Sequence, residues 1–211
     1  MQVLAIILVL SIGGVFVAGC AWAPFASPRL RGWRRAGFHV GSLLAVVGSL
    51  GFFGNALSDV GGLNWLPGSF EWPAGYVSGV ATTSDGLFVV PHTPSGRVQV
   101  YDSDWKFLRG WHVDAGAGTF KLRSSGTDRI EVFTARGQWH YVFDESGALI
   151  SGENYTPETY SSLDGAGQSV VVPTAPWLWV FTHPGISWAA LFVGIIVMQV
   201  VDVKPKKRGT G

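Results

Sequence analysis

Five histidines, one cysteine and a recurring set of turn carboxylates are the side chains with the most chemistry to offer. His39, His92, His112, His140 and His183 are scattered, with no two at the i, i+4 spacing that sets two imidazoles on one helix face. Cys20 lies in an apolar run apart from them, so a zinc site would have to be assembled from remote residues. A hydrolase or metal enzyme built on His92, His112 and a carboxylate would need the fold to bring them into one pocket. His92 is expected in a loop, His140 as a semi-buried histidine on an alternating strand, and His183 at the start of an apolar run.

Asp102, Asp104, Asp144 and Glu145 could bind calcium or act as acid and base. They recur at matching places in two similar stretches, and aspartate also favours turns by accepting from its own backbone. A turn role is therefore expected. There is no G-x-S-x-G elbow, and the Gly-rich stretches "DAGAGTF" (114–120) and "DGAGQS" (164–169) lack the lysine of a phosphate loop and the third glycine of a dinucleotide fingerprint. No catalytic residue, metal or cofactor is expected from this inventory.

The elements that must hold these residues follow from composition. Of 211 residues, 47% are hydrophobic and only 14% charged, against about 25% charged in an ordinary soluble domain. Three apolar runs account for the deficit: residues 3–22, 37–57 and about 184–201. A helix of about 20 residues spans the hydrocarbon core. Charge alternates along the chain. Arg29, Arg31, Arg34 and Arg35 lie in the loop 23–36, and Lys204, Lys206, Lys207 and Arg208 follow the third run, while residues 58–182 carry seven basic and thirteen acidic side chains. Short cytoplasmic loops are rich in Lys and Arg. Both basic segments are therefore expected on the cytoplasmic side of a bacterial-type inner membrane, with the N-terminus and residues 58–182 on the other. An acidic domain and a net charge of +1 argue against a nucleic-acid partner. "VAGC" (17–20) resembles a lipoprotein signal box ending at Cys20. It lacks a basic n-region, and cleavage there would leave both basic segments outside.

Small residues at Gly37, Gly41, Ala45 and Ser49 make a ridge along the second run, of the kind that lets helices approach closely in lipid. It is expected to close the hairpin of the first two spans or to meet a partner protein. Trp22, Trp33, Trp65 and Trp188 fall near the span boundaries, where amphipathic rings favour the headgroup layer.

Residues 58–182 contain a repeat. "RVQVYDSDWKFL" (97–108) lies over "WHYVFDESGALI" (139–150), and "VVPHTP" (89–94) over "VVPTAP" (171–176). Units are expected at 76–112, 118–152 and, truncated, 160–182. Each full unit reads as four short strands, in the first Tyr76–Thr83, Gly86–Pro91, Arg97–Asp102 and Phe107–Trp111. One face of the third strand changes from Arg97, Gln99 and Tyr101 to Trp139, Tyr141 and Phe143, then to Trp177, Trp179 and Phe181. It is expected to be buried in the later units. "DGLFVV…GRVQVYDSDWKFLRGW" resembles the NHL-type repeat of β-propellers, over residues 79–152 and weakly 165–181. The loop "PHTPSG" stands where that repeat usually carries Asp or Asn. The resemblance implies antiparallel blades and, most often in such domains, protein or nucleic-acid binding.

The expected fold is an α+β membrane protein: a transmembrane hairpin (1–57), an antiparallel all-β extracytoplasmic domain of propeller-like repeats (58–182), and a third span with a basic tail (183–211). The expected function is non-catalytic, an accessory, scaffold or assembly subunit in contact with the lipid bilayer and with a membrane protein partner or a second copy of itself. Trp65, Trp72, Trp177 and Trp179 are the candidate contact surface. A sensor that binds a small ligand and signals through a partner is the alternative.

Overall fold

The computed structural model describes residues 2–26, 30–62, 64–93, 95–116, 118–124, 129–163, 168–175, 178, 181 and 183–202. They form two units, one helical (3–56 and from 183 onward) and one built on β-sheet (57–182). Among the expected site residues, Arg29, Trp177, Trp179, Lys204, Lys206, Lys207 and Arg208 lie outside the described residues.

The helical unit consists of α1 (Gln2–Ala26), most of α2 (Trp33–Asp59) and α4 (Pro184–Asp202). All three are long and apolar enough to cross a membrane. Pro184 opens α4, in the first turn where its missing N–H is no loss. Ser42 Oγ donates to the carbonyl of Cys20, and Phe16 meets Phe53 with ring centroids 5.9 Å apart, so α1 and α2 run antiparallel. Arg34 Nε donates to the carbonyl of Val201 at 2.7 Å, which sets the start of α2 against the end of α4. A guanidinium is well suited to free carbonyls at a helix C-terminus. Leu30, Phe38 and Val201 are buried together at this end with Ala23 and Met198 beside them.

The β unit holds two antiparallel sheets. The first has the order β4-β3-β2-β1-β9 and the second β5-β6-β7-β8. Its strands are β1 (Tyr76–Thr82), β2 (Phe88–His92), β3 (Arg97–Tyr101), β4 (Phe107–His112), β5 (Phe120–Ser124), β6 (Arg129–Thr134), β7 (Trp139–Asp144), β8 (Leu149–Asn154) and β9 (Gln168–Val171); a short helix α3 (Pro157–Ser162) precedes β9. The repeat is legible in the backbone. β3 and β4 pair with a register shift after Val100, and β7 and β8 with one after Val142, 42 residues on. The two intervening turns are alike as well. Asp102 Oδ1 accepts from the amides of Asp104 and Lys106 (3.0 and 2.9 Å), and Asp144 Oδ1 accepts from the amide of Ala148 (2.8 Å) and the hydroxyl of Ser146 (2.6 Å). In each turn one residue is left-handed, Trp105 in the first and Gly147 in the second. Glycine takes that conformation freely, whereas Trp105 is held there with its ring stacked on Phe88 at 4.3 Å.

The main core joins the two sheets. Val89, Val98 and Val113 pack with Phe120, Ile130, Val132 and Phe143. Each such side chain contributes about 1.5–3 kcal/mol by leaving water. A second core, on the other face of the first sheet, holds Val77, Val80, Val90, Tyr101 and Val172. Where a third unit is expected, the described residues supply one strand, β9, which adds to β1 in the first sheet.

Candidate functional site

Asp102 and Asp144 are engaged in their own turns. Asp144 is held below the usual carboxylate range by the Ser146 hydroxyl and the Ala148 amide, the signature of a turn rather than of an acid–base pair. No group of three or more His, Cys, Asp and Glu is placed to hold a metal ion among the described residues.

Two of the histidines do converge, on a residue that sequence reasoning had not singled out. His92 pairs with Arg97 across β2 and β3, and Arg97 pairs with His112 across β3 and β4. Directly opposed residues project to one face, so the three form a row with the cation at its centre. His92 ends β2 rather than lying in a loop, and its Nδ1 is 2.6 Å from Ser95 Oγ. Arg97 is 3% exposed. Its guanidinium donates to the carbonyls of Leu66 (3.4 Å), Pro67 (3.0 Å) and Phe70 (2.6 Å). Gln99, next on the same face, exchanges two 2.7 Å bonds with the amide and carbonyl of Trp72. The Tyr101 hydroxyl donates to Glu71 Oε1 at 3.2 Å. This face therefore clamps the segment 66–72 onto the first sheet. A buried guanidinium committed to three carbonyls, between two imidazoles, is a poor neighbour for a metal cation.

The row makes the fold sensitive to acid. Burial, reinforced by the charge of Arg97, pushes His92 from 6.5 down to about 4. Above pH 6.5 the imidazole is neutral in folded and unfolded chains alike, so it adds no pH dependence. Between pH 6.5 and 4 the unfolded chain takes up a proton that the folded chain refuses, and stability falls as pH falls. The loss by pH 4 is on the order of 3 kcal/mol. His112 is lowered too, by burial, with Asp114 opposing and Arg97 adding to the shift. Melting curves of the wild type and of His92→Gln between pH 7 and 4.5 should diverge, with the variant showing the shallower decline.

The expected burial of the aromatic face holds for Phe143, which lies in the main core with Tyr141 packed against it, but not for Trp139. Arg97, Gln99 and Tyr101 are 3%, 0% and 0% exposed, whereas Trp139, at the position of Arg97, is 38% exposed. Segment 66–72 covers this face in the first unit and satisfies its polar groups, whereas in the second unit the face turns to the core between the sheets. His140 is semi-buried as expected, stacked on Phe133 at 4.3 Å and 3.3 Å from carboxylate oxygens of Glu131 and Glu153.

Trp72 does not present a contact surface. It is buried, 6.2 Å from the ring of Phe181, because Gln99 holds its backbone against the sheet. Trp65 is exposed, with its indole nitrogen bonded to the carbonyl of Gly62. The small-residue ridge also has a different occupant. A Cβ on Gly194 of α4 would lie 2.5 Å from both the Ala45 nitrogen and the Gly41 oxygen, and one on Gly37 would lie 3.1 Å from Val201 Cγ1. The ridge packs on α4, and Gly13 of α1 instead meets Phe53 of α2. Ser49 is fully buried. Gly37, Gly41, Ala45 and Ser49 are thus committed within the helical unit rather than open to a partner.

Comparison with protein families and with curated proteins finds no match. Function has to be argued from this geometry. An open surface among the described residues is β8, the outer strand of the second sheet, in which all six residues are exposed, Leu149 and Ile150 at 58% and 50%.

Proposed function

We propose that this is a non-catalytic membrane protein of the bacterial inner-membrane type. Its β unit, on the extracytoplasmic side, makes protein contacts as an accessory, scaffold or assembly subunit. The two sheets are read as NHL-type propeller blades that stack without closing a ring. The observation that carries the reading is the open strand β8, since a bare edge in a natural sheet is a liability unless something pairs with it. Two further observations support it. The convergent histidines flank a structural arginine, and Asp102 and Asp144 serve their own loops. Arg34, in the basic segment with Arg31 and Arg35, also bonds the end of α4, which suits a cytoplasmic placement of that end of the bundle.

The test is isolation of the full chain in mild detergent through an appended tag, with the mass of the complex measured by light scattering. The expected result is a stoichiometric complex with a membrane protein. A monomer with no companion at any detergent concentration would overturn the proposal.

A further inference from the structure

The repeat itself indicates what β8 is missing. In the first sheet the outer strand is β4, and its free edge is met by the chain's own extended segment: the Gly110 amide donates to the Gly68 carbonyl at 2.8 Å. Contact is so close that a Cβ on Gly68 would lie 2.8 Å from the Gly110 oxygen. Gly152 is the counterpart of Gly110, 42 residues on. It stands opposite Tyr141 in β7 as Gly110 stands opposite Gln99 in β3. The Tyr155 amide reaches the Gln138 carbonyl across the same pair of strands, and the alternation of an antiparallel ladder then turns the Gly152 amide away from β7. Leu149 and Ile150 occupy the positions of Phe107 and Leu108 and are 58% and 50% exposed.

Charge selects the occupant. From 144 to 158 the chain carries Asp144, Glu145, Glu153 and Glu158 and no Lys or Arg, and residues 58–182 as a whole carry six more acids than bases. Two such edges repel each other, which disfavours a second copy. We propose that the outer edge of β8 binds an extended, Lys- or Arg-bearing segment of another protein by strand addition. Backbone bonds to Gly152 and its neighbours give the affinity, apolar contacts with Leu149 and Ile150 add to it, and the acidic rim selects the sign of the partner. This inference rests on the protein-contact reading above and names its surface.

The probe is a fluorescein-labelled (Val-Lys)4 peptide, titrated by anisotropy into the full chain in neutral detergent, with binding to empty micelles subtracted. Saturable binding is expected, with (Val-Glu)4 at least tenfold weaker. Gly152→Pro removes an outward amide, while its Cβ would lie 3.1 Å from the Tyr141 ring, and should abolish binding. A (Val-Lys)4 peptide N-methylated at alternate residues should also fail, and it leaves the protein untouched should the proline variant fold poorly. Glu153→Lys should weaken binding several-fold. Equal binding of the N-methylated peptide would overturn strand addition, equal binding of (Val-Glu)4 would overturn the basic partner, and concentration-dependent amide protection of β8 without peptide would make the occupant a second copy. A native companion that co-purifies undiminished with Gly152→Pro would overturn the edge assignment and leave the subunit reading standing. Peptide binding at the edge with no companion in the isolated complex would do the reverse.

Discussion

Arg97→Met should loosen the segment 66–72 and cost the β unit about 2 kcal/mol, because hydrogen bonds from a charged donor contribute roughly 1.5–3 kcal/mol each and the carbonyls they serve are only partly buried. Three carbonyls accept from this one guanidinium, those of Leu66, Pro67 and Phe70, of which Pro67 also accepts from the Phe70 amide. Methionine fills much of the volume, so the loss reports hydrogen bonding rather than a cavity. Arg97→Lys should recover less than half of it, since a single ammonium cannot serve three carbonyls with the fixed fork of arginine. Arg129→Met, on an exposed strand position, is the control and should change stability by less than about 0.5 kcal/mol. Denaturant titration of the full chain in detergent, with limited proteolysis to score cleavage within 66–72, measures both effects. Wild-type resistance to cleavage in Arg97→Met would show that Gln99 and the core hold the segment without it.

Separation of α2 from α4 is the second large effect. In Gly194→Leu the new side chain would begin 2.5 Å from backbone atoms of Gly41 and Ala45, which cannot yield as a flexible side chain would. Overpacking of this kind costs about 3 kcal/mol or more. Gly14→Leu is the matched control, because nothing lies within 4 Å of a Cβ at that position. With Cys20 changed to Ser, the pair Gly37→Cys and Val201→Cys should cross-link readily on oxidation, as the 3.1 Å approach of Val201 to Gly37 allows. Gly194→Leu should suppress the cross-link and Gly14→Leu should not. Unchanged cross-linking in Gly194→Leu would mean that the helices meet elsewhere.

The features legible in the sequence were those set by neighbours along the chain. The apolar runs at 3–22, 37–57 and 184–201 are the cores of α1, α2 and α4, with α1 and α2 extending a few residues further and α4 one. The strand positions came from alternation and turn residues, and the Asp102 and Asp144 turns from their recurrence. Contacts between distant residues were not legible. The ridge from Gly37 to Ser49 advertises close approach without naming its partner, and the deciding residue, Gly194, is about 150 positions away. Nothing around Arg97 announces that segment 66–72 will supply three carbonyls, so burial of this face was expected only in the later units. Of the functional surface, the acidity of 144–158 was readable, but that β8 is an edge depends on the strand order.

That order also bears on how the chain is assembled as it is made. The second sheet is a meander of neighbours, complete once residue 154 has been synthesised. The first sheet begins with Tyr76 yet is finished only when Val171 pairs with that same residue. Local contacts form quickly, and a strand added across so long a loop bears the closure entropy last. The segment that fastens the oldest strand is thus among the newest, and it arrives just ahead of the apolar run of α4. Completion of the β unit and release of the final helix are in this way neighbouring events in synthesis.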